Sequence, residues 1–171
     1  MKDLIDLFRR SLATVQDQIV PSGGPGRSAA TQPVTEHDIH LATAALLFEV
    51  SRADFQIHDD ELVTIREQLA SAFDLEPEEL GELIHLARLE SDELLSLHPF
   101  VRVINTHMSP QDKRRIMADL WQVGYADGVL APRQEAAIRQ IADLLYIPHA
   151  VFVQTRIEVE NARGTRDPDH P

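Results

Sequence analysis

One pattern occurs twice in the chain and limits what it can fold into. Residues 44–57 read AALLFEVSRADFQI and residues 117–130 read MADLWQVGYADGVL, a gapless match at an offset of 73. Ala45/Ala118, Leu47/Leu120, Val50/Val123, Ala53/Ala126 and Asp54/Asp127 are identical, and Phe48/Trp121 and Ile57/Leu130 keep their size and polarity. A duplicated supersecondary unit buries its apolar face most simply against its twin. Each copy reads as the end of an apolar helix, an Asp, a turn, and a second helix with an acid near its start.

The flanking residues supply the other helices. Thr35 and Asp38 have the spacing of a capping box and open a helix that runs to about Ala53. Ile39, Ala42, Leu46, Val50 and Ala53 form one stripe, widened by Leu41, Ala45 and Phe48. A helix apolar over so much of its circumference belongs in the middle of a bundle. The next helix spans Glu61 to Phe73, with Asp59 as its cap and Leu62, Ile65, Leu69 and Phe73 inward. Pro77 opens a helix to Glu90. Another covers residues 93–107, where Pro99 either kinks it or marks its start. Ser109-Pro110-Gln111-Asp112 is a complete start signal for the helix carrying the second copy, to about Ala126. Gly128 suits the turn that follows, a conformation the first copy must reach with Phe55. Pro132 and Pro148 open the last two helices, the second ending near Asn161. No stretch alternates with the two-residue period of a strand. The class is therefore all-α: a compact bundle of about seven helices built from two helix-turn-helix repeats, plus a separate N-terminal helix. The expected organisation is an amphipathic helix over residues 1–20, a flexible linker at 21–34, the helical domain at 35–161 and a frayed tail at 162–171.

Charge and composition exclude several functions. The formal net charge of −12 repels phosphate backbones, which argues against nucleic acid as a partner. The absence of cysteine removes disulfides, thiolate metal sites and thiol nucleophiles. No apolar run is long enough for a membrane span, and the N-terminus lacks the features of a signal peptide, so a cytoplasmic location is expected. Residues 2–20 place Leu4, Phe8, Leu12, Val15 and Ile19 at helical spacing, with Lys2, Arg9 and Arg10 beside them. Such a helix either docks on a partner or a membrane-associated complex, or packs on its own domain. Residues 21–33 hold three Pro, three Gly and no large apolar side chain, the composition of a linker.

The acids of the repeated turns are the leading site candidates. Asp54 precedes Glu61 by seven residues, and Asp127 precedes Glu135 by eight. Each pair brackets a corner between helices, where carboxylates and free loop carbonyls can surround a hard cation such as Ca²⁺ or Mg²⁺. Two such corners related by a pseudo-twofold axis would bring four acids together. This is not an EF-hand, because with each Asp counted as position 1, positions 3 and 5 are not acids: Gln56 and His58 in the first copy, Val129 and Ala131 in the second. The competing reading is structural, with the aspartates binding turn amides and the glutamates favouring helix N-termini. His37 and His40 are the one close histidine pair, with zinc or plain capping as alternatives. No Gly-x-Ser-x-Gly is present, and the GGPG at 23–26 has no strand before it. Trp121 matches Phe48 across the repeat and is expected in the core.

With Asp54, Asp127 and their flanks in view, the chain resembles the tellurite-resistance TerB-like family. The resemblance is carried by Ala45-Leu-Leu-Phe-Glu-Val-Ser-Arg-Ala-Asp54 with Glu61, and by Leu120-Trp-Gln-Val-Gly-Tyr-Ala-Asp-Gly128 with Glu135 and the Ile138–Leu145 segment. It covers about residues 36–160. It implies a compact helical domain of two repeated halves, with Asp54, Glu61, Asp127 and Glu135 as ligands of a divalent metal. It also implies a binding or scaffold module of a chemical-stress response, joined to protein partners and not an enzyme. A purely structural protein–protein module without metal is the alternative, and a metal-dependent hydrolase using the same acids is the third reading.

Overall fold

The computed structural model describes residues 34–54, 59–93 and 97–164, with the backbone alone for Asp54 and residues 88–93. The N-terminal helix, the linker and Phe55 lie outside the described residues. Seven α-helices follow in order: α1 (Glu36–Ser51), which continues as one 3-10 turn (Arg52–Asp54), α2 (Asp59–Ala72), α3 (Pro77–Glu93), α4 (His98–His107), α5 (Pro110–Gly124), α6 (Pro132–Leu144) and α7 (His149–Gly164). No strand occurs among the described residues, so the all-α class holds.

Local chemistry sets the helix ends. Thr35 Oγ1 accepts from Asp38 N at 3.3 Å while Asp38 Oδ2 accepts from Thr35 N at 2.7 Å. Ser109 and Asp112 repeat the arrangement at the head of α5, at 3.2 Å in both directions. These reciprocal bonds satisfy amides that a helix start leaves without partners. The Ser109 hydroxyl holds the Asp112 carboxyl below its ordinary range. Pro99 occupies the first turn of α4, so it starts that helix and does not kink one. Asp59 is already helical and is the first residue of α2, not its cap. Helix α7 runs on through Gly164, past the expected end near Asn161.

Helix α1 is the centre of the bundle. Every residue from Leu41 to Phe48 is buried, as are Val50 and Ser51. It packs against α2, α3, α4, α5 and α6. Ala42, Ala44 and Ala45 let those neighbours approach on several sides, and Leu46, Leu47 and Phe48 fill the space between them. Each large side chain removed from water here contributes ~1.5–3 kcal/mol. Thr43, the polar residue in this run, bonds its hydroxyl back to Ile39 O at 3.0 Å.

The repeat in the sequence is also a repeat in space. Ser51 ends α1 and Gly124 ends α5; Asp59 begins α2 and Pro132 begins α6; both pairs keep the offset of 73. The second helix of each copy packs on the first helix of the other, α2 on α5 and α6 on α1. This reciprocal packing is the isologous arrangement of a pseudo-twofold pair. Phe48 and Trp121, equivalent in the repeat, are both fully buried.

Two glycines illustrate how unevenly the bundle is filled. A Cβ at Gly124 would lie 2.9 Å from Leu130 Cδ1 and 3.0 Å from Ile138 Cδ1, whereas one at Gly81 meets nothing within 4 Å. Gly124→Val is expected to destabilise the chain by about 1–3 kcal/mol through overpacking. Gly81→Ala, on an exposed helix interior, should raise stability by about 0.5–1 kcal/mol. Urea denaturation of both variants measures the contrast, and a destabilising Gly81→Ala would contradict the exposed placement of that face.

Candidate functional site

The two repeats meet at a buried carboxylate. Glu61, in the first turn of α2, is 1% exposed. Its Oε2 accepts from Ser51 Oγ at 3.0 Å, and its Oε1 accepts from Gln134 Nε2 at 2.6 Å. Ser51 is the last residue of α1, on the near side of the first turn, and Gln134 sits in the first turn of α6. Burying a carboxylate without hydrogen bonds would cost several kcal/mol, and these donors from two other helices offset that cost. Gln134 uses both ends of its carboxamide, because its Oε1 also accepts from Ala131 N at 3.1 Å. It thus caps α6 where Ala131 has no side-chain acceptor to offer.

The residue equivalent to Glu61 is therefore Gln134. Glu61 and Gln134 are separated by 73 residues, the offset of the repeat. Positions related by a twofold axis touch one another only on the axis, so this bond lies where the halves are symmetric. Glu135, the acid that follows Asp127 by eight residues, is one residue out of that register and faces another helix. Its Oε1 accepts from Arg156 Nη1 of α7 at 3.2 Å and from Arg139 Nη2 at 3.4 Å. Arg156 also bonds Glu160 at 2.9 Å and lies over the Trp121 ring, 5.3 Å from its centroid. Tyr125 OH donates to the same Glu160 oxygen. Hydrogen bonds from Tyr125 and Arg156 hold the Glu160 carboxyl below its ordinary range. Burial, followed by the bond to Glu160, pushes the Tyr125 phenol up. Glu135 thus belongs to a charge network that clamps α7 onto α5 and α6.

Asp127 lies in the second turn, exposed to solvent. Its Oδ1 accepts from Val129 N at 3.1 Å, which closes an Asx-type turn. Gly128 follows with φ +99°, a conformation that favours glycine. Asp54 ends the 3-10 turn after α1, and its side chain lies outside the described residues.

Three of the four acids named from sequence have carboxylates with different partners: Glu61 accepts from Ser51 and Gln134, Asp127 from Val129 N, and Glu135 from Arg156 and Arg139. Among the described residues no three His, Asp or Glu side chains gather where a metal could be held. The part that suits a hard cation is smaller. Glu61 supplies a buried carboxylate, with the Ser51 hydroxyl and Gln134 carboxamide as neutral neighbours, directly after the turn that carries Asp54. Carboxylate and hydroxyl oxygens are donors that Ca²⁺ and Mg²⁺ prefer, whereas Gln134 turns its Nε2 towards Glu61. His37 and His40 do not join an acid in any such cluster. Instead His40 stacks on Phe73 with centroids 4.1 Å apart, and burial lowers its pKa.

The architecture agrees with a known family. The family model described as tellurite resistance protein TerB matches residues 40–157, more than half of the chain. The chain belongs to the TerB family. No curated protein and no solved structure matches it. In this TerB protein the matched region takes in both repeated turns and most of every described helix.

Ser51 and Gln134 are the site residues that inspection for acids passes over, because neither is charged. The repeat itself identifies Gln134: adding 73 to Glu61 lands on it. Gln134→Glu would replace the amide donor by a second carboxylate against Glu61. At neutral pH this should destabilise the fold by about 1–3 kcal/mol. One of the two carboxyls would then have a raised pKa, so the penalty is present above that pKa and disappears as pH falls through it. Thermal melting from pH 8 to pH 4.5 should show the variant approaching wild type at the acid end. A gap independent of pH would contradict the Glu61–Gln134 contact.

Proposed function

We propose that this TerB protein is a non-enzymatic helical module that takes up one divalent cation, Ca²⁺ or Mg²⁺, at the corner between its repeats. In this reading Asp54 and Glu61 are the principal ligands. Asp127 contributes through the second turn, and Glu135 serves chiefly to anchor α7. The module acts as a cytoplasmic scaffold in the response to tellurite or related chemical stress, binding protein partners through its helical faces and through residues 1–20. The observation that carries the reading is the buried carboxylate of Glu61 at the meeting of the two repeats. Family membership supports the link to tellurite resistance. No helix among the described residues is long and apolar enough to cross a membrane.

One observation favours a second reading, in which the corner is structural and takes no metal. Both Glu61 oxygens already accept hydrogen bonds from protein donors. Those two donors are neutral.

Calorimetric titration with CaCl₂ and MgCl₂, followed by melting in excess ion, separates the two readings. A site saturated about a hundredfold over its Kd adds about 2.7 kcal/mol to folding stability. That corresponds to a rise in Tm of several degrees for a domain of this size. Asp54→Asn and Glu61→Gln should each abolish the heat of binding and the rise in Tm, while the far-UV spectrum stays helical. Titrations without heat and a Tm unmoved at millimolar ion would leave the structural reading in place.

A further inference from the structure

A second polar site lies on the other side of α5, away from the repeated turns. A cleft of about 430 Å³ opens between α1, α2 and α5. That volume lies within the range of small-ligand pockets. Its apolar lining comes from Ala72, Phe73, Met108 and Ile116. Its polar lining comes from Thr43, Gln68 and Ser71 on one side and from Asp112, Arg115 and Asp119 of α5 on the other. The mouth is at Ser71, Ala72 and Arg115, which are exposed, while Thr43 and Ile116 are buried at the back.

Two acceptors in the cleft, the Asp119 carboxyl and Gln68 Oε1, are left for a ligand, whereas Thr43 bonds Ile39 O and Asp112 accepts from Ser109. The half-buried Asp119 carboxyl makes no hydrogen bond or ion pair among the described residues. Gln68 spends its Nε2 on Gln122 Oε1 at 2.8 Å and leaves its own Oε1 available. Arg115 leans towards Asp112 at the rim, 3.9 Å away. Burial raises the Asp119 carboxyl to about 7, against a smaller opposing pull from Arg115. The charged groups lining the cleft around it are thus Asp112 and Arg115, both from its own helix; Thr43 of α1 and Gln68 and Ser71 of α2 are uncharged. His40 stacks behind Phe73 and is biased to the neutral form.

We propose that this cleft binds an alkylammonium group, with Asp119 as its counter-ion, Gln68 Oε1 and Ser71 Oγ as further acceptors, and the methylene stem against Phe73 and Met108. An ammonium offers three donors and no acceptor, which complements this set of groups. A neutral alcohol would leave the Asp119 carboxylate uncompensated, and an anion would be repelled by it. The net charge of −12 raises the local concentration of any cation. The ammonium is either that of a free amine or the tip of a lysine on a partner protein. Binding releases the proton of Asp119, because the ligand stabilises only the ionised carboxylate.

The test is an amide-resolved NMR titration of the full chain with n-butylammonium chloride, with N-acetyl-lysine methylamide and with n-butanol, at pH 6 and pH 8. Amides of Gln68, Ser71 and Asp119 should shift with n-butylammonium, with the lysine derivative, or with both. Shifts from the lysine derivative alone assign the site to a partner's lysine, and shifts from n-butylammonium alone assign it to a free amine. Binding should be about tenfold tighter at pH 8 than at pH 6, following the ionised fraction of Asp119. Asp119→Asn should abolish the shifts and yet melt no lower than wild type at pH 8, since it removes a carboxylate whose ionisation opposes folding. Asp143→Asn, on the exposed face of α6, should bind as wild type. The proposal is overturned by an absence of shifts at pH 8, by shifts that survive Asp119→Asn, by equal shifts from n-butanol, or by affinity independent of pH.

Discussion

The hydrogen bond from Gln134 Nε2 to Glu61 Oε1 joins the two repeats at the place where equivalent positions face each other. A symmetric pair of carboxylates would repel there, and a symmetric pair of carboxamides would forgo the charge-assisted bond. The two copies have therefore diverged where they touch. One keeps the acid and the other holds an amide that can donate to it. The same amide caps α6 through Ala131 N, so a single side chain links helix initiation to the packing of the halves.

Around that point the core follows from the burial of α1. A helix with apolar side chains on all sides must be covered on all sides, and five others cover it. The equivalent helix α5 is less enclosed. It carries Asp112, Arg115 and Asp119 along one face, which leaves the polar cleft where α2 approaches it. Its other side is closed by α7. There Trp121 meets Phe152 edge-on at 5.0 Å, and Arg156 and Arg163 lie over Trp121 and Tyr125. Arg52 stands at the repeat position of Tyr125 and pairs with Glu49 at 3.6 Å. The second copy has thus turned its corner towards anchoring the last helix, while the first keeps the buried acid.

Gly124 and Ser51 show the same division. Ser51 ends α1 with a hydroxyl directed at Glu61. Its counterpart Gly124 has no side chain, and Leu130 and Ile138 occupy the space. The divergence of Ser51/Gly124, Glu61/Gln134 and Arg52/Tyr125 makes one corner polar and the other a packing joint.

The helical class, the capping boxes at Thr35 and Ser109 and the central place of α1 were legible in the sequence. Each follows from local periodicity or from contacts within four residues. The register of the repeat was legible as well, and followed strictly it leads from Glu61 to Gln134. What the tertiary structure alone decided was the direction of each carboxylate. Glu135 and Gln134 are neighbours on one helical turn, about 100° apart in azimuth, and only the packing of α7 made the first face Arg156 while the second reached Glu61. Asp119 is another such case. Nothing near it in the chain marks it out, and the fold brings Thr43 of α1 and Gln68 and Ser71 of α2 into the cleft beside it. Local sequence determines where helices begin and which stripe is apolar. The surroundings of a polar side chain come from residues distant in the chain, and those are known only once the helices have packed.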